Sequence, residues 1–300
     1  AACGGCPQFQ ASSPVVITPL PVTDFNYAST PYCQNAGNPA PIFTNGGMAG
    51  IFTSASGLSI NANTGVINLS ASTPGNYTIT NTIAASGGCP AVFSTFNITI
   101  TVLPVANFSY TGSPYCQNGV NPSPTFSGGG EAGIFSSNPV AGLSLDTNSG
   151  IVNLALSTAG TYTVTNTIAA ANGCGAVTAN ASITITTAPQ QPAISYNGLF
   201  CSSITAIQTV TQTGATGGVY SSAPAGLAID AVTGGITPNT STAGTYTVSY
   251  TILAAGGCAA ISGTTAVTIL PEFLVEIIEA CEGPDLILTA LPIVVSFGPL

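Results

Sequence analysis

Gly75-Asn76-Tyr77-Thr78-Ile79-Thr80-Asn81-Thr82-Ile83 runs on through Ala84, Ala85, Ser86, Gly87 and Gly88 into Cys89. Tyr77, Ile79, Asn81 and Ile83 fall in one phase of an extended chain and Thr78, Thr80 and Thr82 in the other, the period-2 pattern of a half-buried β-strand. A glycine opens the stretch and a Gly-Gly pair closes it, so it is bracketed by turn chemistry. The same text returns as GTYTVTNTIAAANGC from Gly160 to Cys174 and as GTYTVSYTILAAGGC from Gly244 to Cys258. Self-similarity at a fixed long period is the mark of a repeat architecture. Tyr77, Tyr162 and Tyr246 are 85 and 84 residues apart, and Cys33, Cys116 and Cys201 are 83 and 85 apart.

Working outward from the tyrosine strand, each unit carries its signals in the same order. An aromatic strand (Phe25 to Tyr27, Phe108 to Tyr110, Ile194 to Tyr196) leads to the first cysteine. That cysteine is set in Pro31-Tyr32-Cys33-Gln34-Asn35 and in Pro114-Tyr115-Cys116-Gln117-Asn118. A short Gly-Ile-Phe strand follows at Gly50 and Gly133, with Gly218-Val219-Tyr220 in the third unit. A hairpin is then expected around Thr64-Gly65, Ser149-Gly150 and Thr233-Gly234, ahead of the tyrosine strand and a Thr-rich closing strand that ends near Pro104, Pro189 or Pro271. Six or seven short strands with frequent turn signals predict an all-β chain of tandem immunoglobulin-like antiparallel β-sandwich domains, joined by proline-stiffened connections into an extended rod.

Repeats are expected at residues 21–104, 105–189 and 190–271. Residues 1–20 align with Ala84 to Pro104 and read as the C-terminal remnant of a preceding repeat, while 272–300 read as the start of a further, divergent domain.

Charged residues make up 3% of the chain, with no Lys, Arg or His and nine Asp and Glu, for a formal net charge of −9, whereas an average chain is about one quarter charged. Without cations there is no counterion-release binding to nucleic acid and no attraction to anionic lipid surfaces. Hydrophobic residues at 45% exclude intrinsic disorder. The missing residue types also remove the Ser-His-Asp constellation, the Schiff-base lysine and the imidazole metal ligand. No catalytic, cofactor-binding or metal-binding residue is expected, and the chain is not expected to be an enzyme. Asp146 and Asp230 share one position, held by Asn61 in the first unit, and are expected to cap turns. Asp24 and Glu131 are isolated, and Glu272 to Asp285 is the one stretch dense in carboxylates.

Nine cysteines at repeating positions read as an oxidised framework. Pairing within units gives Cys33 with Cys89, Cys116 with Cys174 and Cys201 with Cys258, and leaves Cys3, Cys6 and Cys281 unpaired or with partners elsewhere. Pairing across joints gives Cys6 with Cys33, Cys89 with Cys116, Cys174 with Cys201 and Cys258 with Cys281. The chain from Cys89 to Cys116 holds one closing strand and the next opening strand running the same way, which carries those sulfurs beyond the ~7 Å reach of a disulfide. Pairing within units is therefore expected, with Tyr32 and Tyr115 packed on the bonds.

The first cysteine with its Gly-x-Phe strand, the Gly-Leu-Ser-Ile/Leu and Gly-x-Ile elements, the Gly-x-Tyr-Thr-Val/Ile-Thr-Asn-Thr-Ile strand and the Gly-Cys before a Thr-rich strand together resemble the Ig-like and PKD-like repeats of large Bacteroidota cell-surface proteins, which include gliding-type adhesins exported by type IX secretion. The resemblance implies an extracellular, cell-surface location and a structural or adhesive role, as the stalk of a surface adhesin or the body of a surface filament. The expected partners are neighbouring domains or copies of the chain in a fibre, and surface glycans or other cells. The alternative is a glycan-binding or accessory module of a secreted enzyme.

Overall fold

The computed structural model describes residues 12–272 together with 4–5 and 10, and the backbone of the strands at 275–282 and 285–292. The first repeat contains β1 (Phe25–Asn26), β2 (Tyr32–Cys33), β3 (Ile42–Phe43), β4 (Ile51–Thr53), β5 (Gly75–Ile83) and β6 (Val92–Thr101). The second has β7 (Phe108–Ser109), β8 (Tyr115–Cys116), β9 (Thr125–Phe126), β10 (Ile134–Asn138), β11 (Gly160–Ile168) and β12 (Val177–Thr186). The third has β13 (Ala193–Ser195), β14 (Phe200–Cys201), β15 (Thr211–Thr213), β16 (Val219–Ala223), β17 (Gly244–Ile252) and β18 (Ile261–Leu270). β19 (Val275–Glu282) and β20 (Asp285–Pro292) form an antiparallel hairpin. The helical element among the described residues is one 3-10 turn, Pro238–Thr240.

Each repeat builds the same two sheets. A four-stranded sheet has the order β2-β6-β5-β4, with β8-β12-β11-β10 and β14-β18-β17-β16 as its counterparts, and faces the two-stranded pairs β1-β3, β7-β9 and β13-β15. The long strands pair antiparallel, Tyr77 opposite Ile98 and Ile79 opposite Phe96. The two-residue β2 runs parallel to the end of β6, Tyr32 beside Ile100 and Cys33 beside Thr101. This is an immunoglobulin-like sandwich in which the opening segment crosses over to the sheet of the closing strand.

The alternation read in the tyrosine strand is the packing that is found. Tyr77, Ile79 and Asn81 are buried and Asn76 and Thr78 are exposed along β5. Phe25, Phe52, Ile67, Leu69, Ile98 and Ile100 complete the first core, and equivalent clusters fill the other two repeats. Each fully buried aliphatic side chain contributes about 1.5–3 kcal/mol relative to exposure. A tyrosine corner recurs three times: the hydroxyls of Tyr77, Tyr162 and Tyr246 donate to the carbonyls of Thr73, Thr158 and Thr242 at 2.8, 3.0 and 2.7 Å. Such a corner, four residues upstream of a tyrosine at the start of a long strand, is a hallmark of this sandwich.

The expected hairpin around Thr64-Gly65 contracts to one bridge between Ile60 and Ile67. Gly65 has φ +71, and a Cβ there would lie 2.9 Å from Phe52 Cζ, so only glycine fits over the core. The Tyr27 hydroxyl donates to the Gly65 carbonyl and pins this turn to the opening strand. Burial raises the Tyr27 pKa well above its ordinary value, helped by nearby Tyr32.

Candidate functional site

The cysteines come together at the joints between repeats, in an arrangement that overturns the expected pairing. Cys33 is bonded to Cys174 and Cys116 to Cys258, each with Cα atoms 4.7 Å apart and across sequence separations of 141 and 142 residues. The first cysteine of one repeat bonds to the second cysteine of the next.

Pairing of Cys33 with Cys89, Cys116 with Cys174 or Cys201 with Cys258 fails for a geometric reason. Cys33 lies beside Thr101, the last residue of β6, whereas Cys89 sits in the turn that precedes Val92, the first. Ten extended residues put the two ends of β6 about 30 Å apart, several times the reach of a disulfide. Cys89 and Cys201 are half-buried free thiols. Cys3 and Cys6 lie outside the described residues, as does the side chain of Cys281. Tyr32 and Tyr115 contribute to the hydrophobic cores of their own repeats, because in a strand the residue before the cysteine faces the opposite way.

Each joint is assembled from three segments. The tip between β11 and β12 is closed by two backbone bonds between Ala171 and Cys174, with Ala171 N–H donating at 3.1 Å and Cys174 N–H at 2.8 Å. Asn172 and Gly173 at this tip take φ +52 and +79. A Cβ on Gly173 would lie 2.0 Å from the Pro31 carbonyl oxygen, and one on Gly257 the same distance from that of Pro114. The Gly before the second cysteine is thus required by direct backbone contact with the preceding repeat. Thr101, at the end of β6, donates its hydroxyl to the Asn172 carbonyl at 2.8 Å, and Thr186 donates to that of Gly256 at 2.5 Å. The docking hides Cys33 and Cys116 to 1% and 2% exposure. Closing loops of this length stabilises the folded chain by about 5 kcal/mol per bond in the chain-entropy model.

The carboxylates serve turns. Asp146 Oδ1 accepts from the N–H groups of Asn148 and Ser149 at 3.0 and 2.7 Å, Asp230 from those of Val232 and Thr233 at 2.9 and 2.7 Å, and Asn61 does the same in the first repeat. The Ser149 backbone N–H, then its hydroxyl and the Asn148 N–H, hold the Asp146 carboxyl below the usual aspartate range; Thr233 and Val232 do so for Asp230. A lowered folded pKa adds stability that is present above the unfolded value and lost as pH falls through the folded one. The native chain is therefore expected to lose melting temperature as pH drops below about 4. An Asp146→Asn, Asp230→Asn double variant keeps the acceptor, as Asn61 does, and should show a shallower acid slope in melts between pH 7 and 2. Equal slopes would show that these turns are not what titrates.

Asp24 and Glu131 stand apart: Asp24 accepts from the Asn45 side chain at 3.1 Å, and Glu131 contributes its backbone carbonyl to Asn166. The side chains from Phe273 onward, most of the acid-rich Glu272 to Asp285 stretch, lie outside the described residues. Among the described residues no three His, Cys, Asp or Glu side chains converge as a metal site.

One feature was present in the sequence as a polar residue in the apolar phase of the tyrosine strand. Asn81 and Asn166 are fully buried. Asn81 donates to the carbonyls of Thr23 and Met48 at 3.0 and 2.8 Å and accepts from Gly50 N–H at 2.7 Å. Asn166 repeats the bracket with Ala106, Glu131 and Gly133. In the third repeat the Tyr250 hydroxyl accepts from Gly218 N–H at 2.7 Å.

No protein-family model and no curated protein matches this sequence. Solved structures with a similar fold include Drosophila N-cadherin EC1-4 (11% identity, 84% of this chain and 76% of that one, TM-score 0.30). The titin I-band fragment I67-I69 is another (14% identity, 85% and 100%, TM-score 0.37). A third is a SusE-like surface-located polysaccharide-binding protein from the heparin utilisation locus of Bacteroides thetaiotaomicron (12% identity, 85% and 74%, TM-score 0.21).

Proposed function

We propose that the chain is part of an extracellular structural or adhesive repeat protein whose task is mechanical: an extended row of sandwiches, acting as the stalk of a Bacteroidota-type surface adhesin exported by type IX secretion or as the body of a surface filament. The observation that carries this reading is the pair of disulfides that cross from one repeat into the next. A bond inside a domain protects that domain alone, whereas these make neighbouring repeats one covalent body. Disulfides belong to oxidising compartments outside the cytosol. The absence of Lys and Arg leaves trypsin-like proteases no site, which suits exposure outside a cell. No enzymatic activity is part of this reading.

Antibodies raised against residues 21–271 should decorate extended strands or regular fibres on intact native cells in negative-stain microscopy. Label confined to the cell interior would sink the proposal. A glycan-binding role has its own motivating feature, the charge-free Thr and Asn face of the long sheet. There, Thr165 donates to Asn180 at 2.7 Å, and the Thr161 and Thr184 hydroxyls lie 3.0 Å apart. Saturable binding of the chain on a glycan array would favour that role over a purely structural one.

A further inference from the structure

Both disulfides obey one rule, first cysteine of a repeat to second cysteine of the next, and each free thiol sits in one half of that same arrangement. Around Cys89 the receiving half is already built. Ser86 and Cys89 close their turn with backbone bonds of 3.2 and 2.9 Å, matching those at Ala171–Cys174 and Ala255–Cys258. Gly88 has φ +84, beside +79 and +78 at Gly173 and Gly257. Thr18, which aligns with Thr101 and Thr186, lies against the turn with its carbonyl oxygen 3.6 Å from Cys89 Sγ. Cys174 and Cys258 stand 3.4 and 3.7 Å from the carbonyls of Val102 and Thr187, each one position further along the chain than the counterpart of Thr18.

Where the equivalent glycines meet the carbonyls of Pro31 and Pro114, no atom of the described residues lies within 4 Å of a Cβ placed on Gly88. A hollow of about 470 Å³ beside it is lined by Thr18, Leu20, Met48, Ile83, Gly87 and Cys89. Cys201 is held in the donating half. It lies parallel to Leu270, and Ser202 N–H donates to the Leu270 carbonyl at 2.9 Å, as Gln34 does to Thr101 and Gln117 to Thr186.

We propose that Cys89 is a receiving thiol for a cysteine carried on a Pro-Tyr-Cys-like strand of another repeat of this kind, and that Cys201 is the complementary donating thiol, so that the bonding of repeat to repeat propagates in both directions. Two thiols become one disulfide by a two-electron oxidation. The oxidant is an external disulfide, a thiol–disulfide oxidoreductase or a small-molecule disulfide, which leaves as two thiols carrying the electrons and the two protons. In the joining step the Cys89 thiolate attacks the mixed disulfide on the incoming cysteine and expels the oxidant's thiolate. The donated cysteine belongs either to a flanking repeat of the same polypeptide or to a second copy of the chain; the chemistry is shared. The inference concerns the joint alone and does not depend on an adhesive role.

The probe is a synthetic peptide of residues 28–36, Ala-Ser-Thr-Pro-Tyr-Cys-Gln-Asn-Ala, with its cysteine activated as the thionitrobenzoate mixed disulfide and added to the oxidised 300-residue chain. Coupling is located by peptic mapping, since trypsin has no site. The peptide is expected to join Cys89 on the order of tenfold faster than a scrambled peptide, the gain from docking before exchange. Gly88→Ala should erase that preference, because a Cβ there blocks the approach made at Gly173. Its rate with dithionitrobenzoate, which needs no docking, should stay unchanged and report an intact turn.

Equal rates for native and scrambled peptides would overturn the proposal. Mild oxidation of the chain alone distinguishes the sources. Oligomers linked from Cys89 to Cys201 assign the donor to a second copy, and a chain that stays monomeric while keeping the peptide preference assigns it to a flanking repeat.

Discussion

Pulled from its two ends, the chain with its disulfides intact should unravel to a length roughly 550–600 Å shorter than the same chain after reduction, at 3.3–3.6 Å per residue. The difference follows from the route that covalent bonds leave for force. From the N-terminal side tension reaches Cys33 and crosses to Cys174. It runs backwards along the chain to Cys116 and crosses again to Cys258. The segments between Cys33 and Cys116 and between Cys174 and Cys258 are bypassed. These hold β3 to β6 of the first repeat, β7 and β12 of the second and β13 to β17 of the third, so the hydrogen-bonded heart of two cores carries no direct load. Single-molecule force spectroscopy with and without a reductant measures the contour length. Equal lengths would mean that the bonds are absent in solution. Pairing within repeats would shorten the chain too, but Cys116→Ser separates the cases: in the arrangement found, it leaves Cys258 without its partner while Cys33–Cys174 remains.

The repeat and its sandwich were legible because β-structure writes its burial into every second residue, and Tyr77, Ile79 and Asn81 occupy the phase that the core requires. The glycines were legible as turns, although Gly65 closes a bridge where a hairpin was expected. The disulfides were not, for a reason that is also physical. Sequence distance says how much chain a bond would close and nothing about which end of the sandwich each cysteine occupies. Cys89 stands in the Gly-Gly tip between two long strands, and Cys33 follows an aromatic residue on a short strand whose place is set by a parallel contact at the far end of β6. The tip was readable from the two flanking strands; the parallel contact, made by two residues, had no periodicity to announce it. The argument set against bonding Cys89 to Cys116, that extended strands carry the sulfurs beyond the ~7 Å reach of a disulfide, applies with equal force to bonding Cys89 to Cys33.

Asn81→Ala should destabilise the first repeat by about 3–5 kcal/mol, well above the roughly 1 kcal/mol typical of single substitutions. The side chain is fully buried and satisfies three backbone groups from two segments: the carbonyls of Thr23 and Met48 and the N–H of Gly50. Alanine leaves the Met48 carbonyl and the Gly50 N–H unpaired in a place without solvent and the Thr23 carbonyl with the Ser94 hydroxyl alone, and each buried unpaired group costs about 1–3 kcal/mol before partial relaxation. It also releases the opening segment from the tyrosine strand, since Thr23 and Met48 are both tied to β5 through this amide. Asn81→Asp tests the account from the other side: a carboxylate still accepts from Gly50 but cannot donate to either carbonyl, and it buries a charge without a cation anywhere in the chain to meet it. Both variants should lower the denaturant midpoint of the first repeat, with amide exchange at Gly50 accelerating and that at Gly133, in the intact Asn166 bracket of the second repeat, unchanged. A shift below ~1 kcal/mol for alanine would show that water reaches these groups and that the bracket is not what holds the opening strand in place.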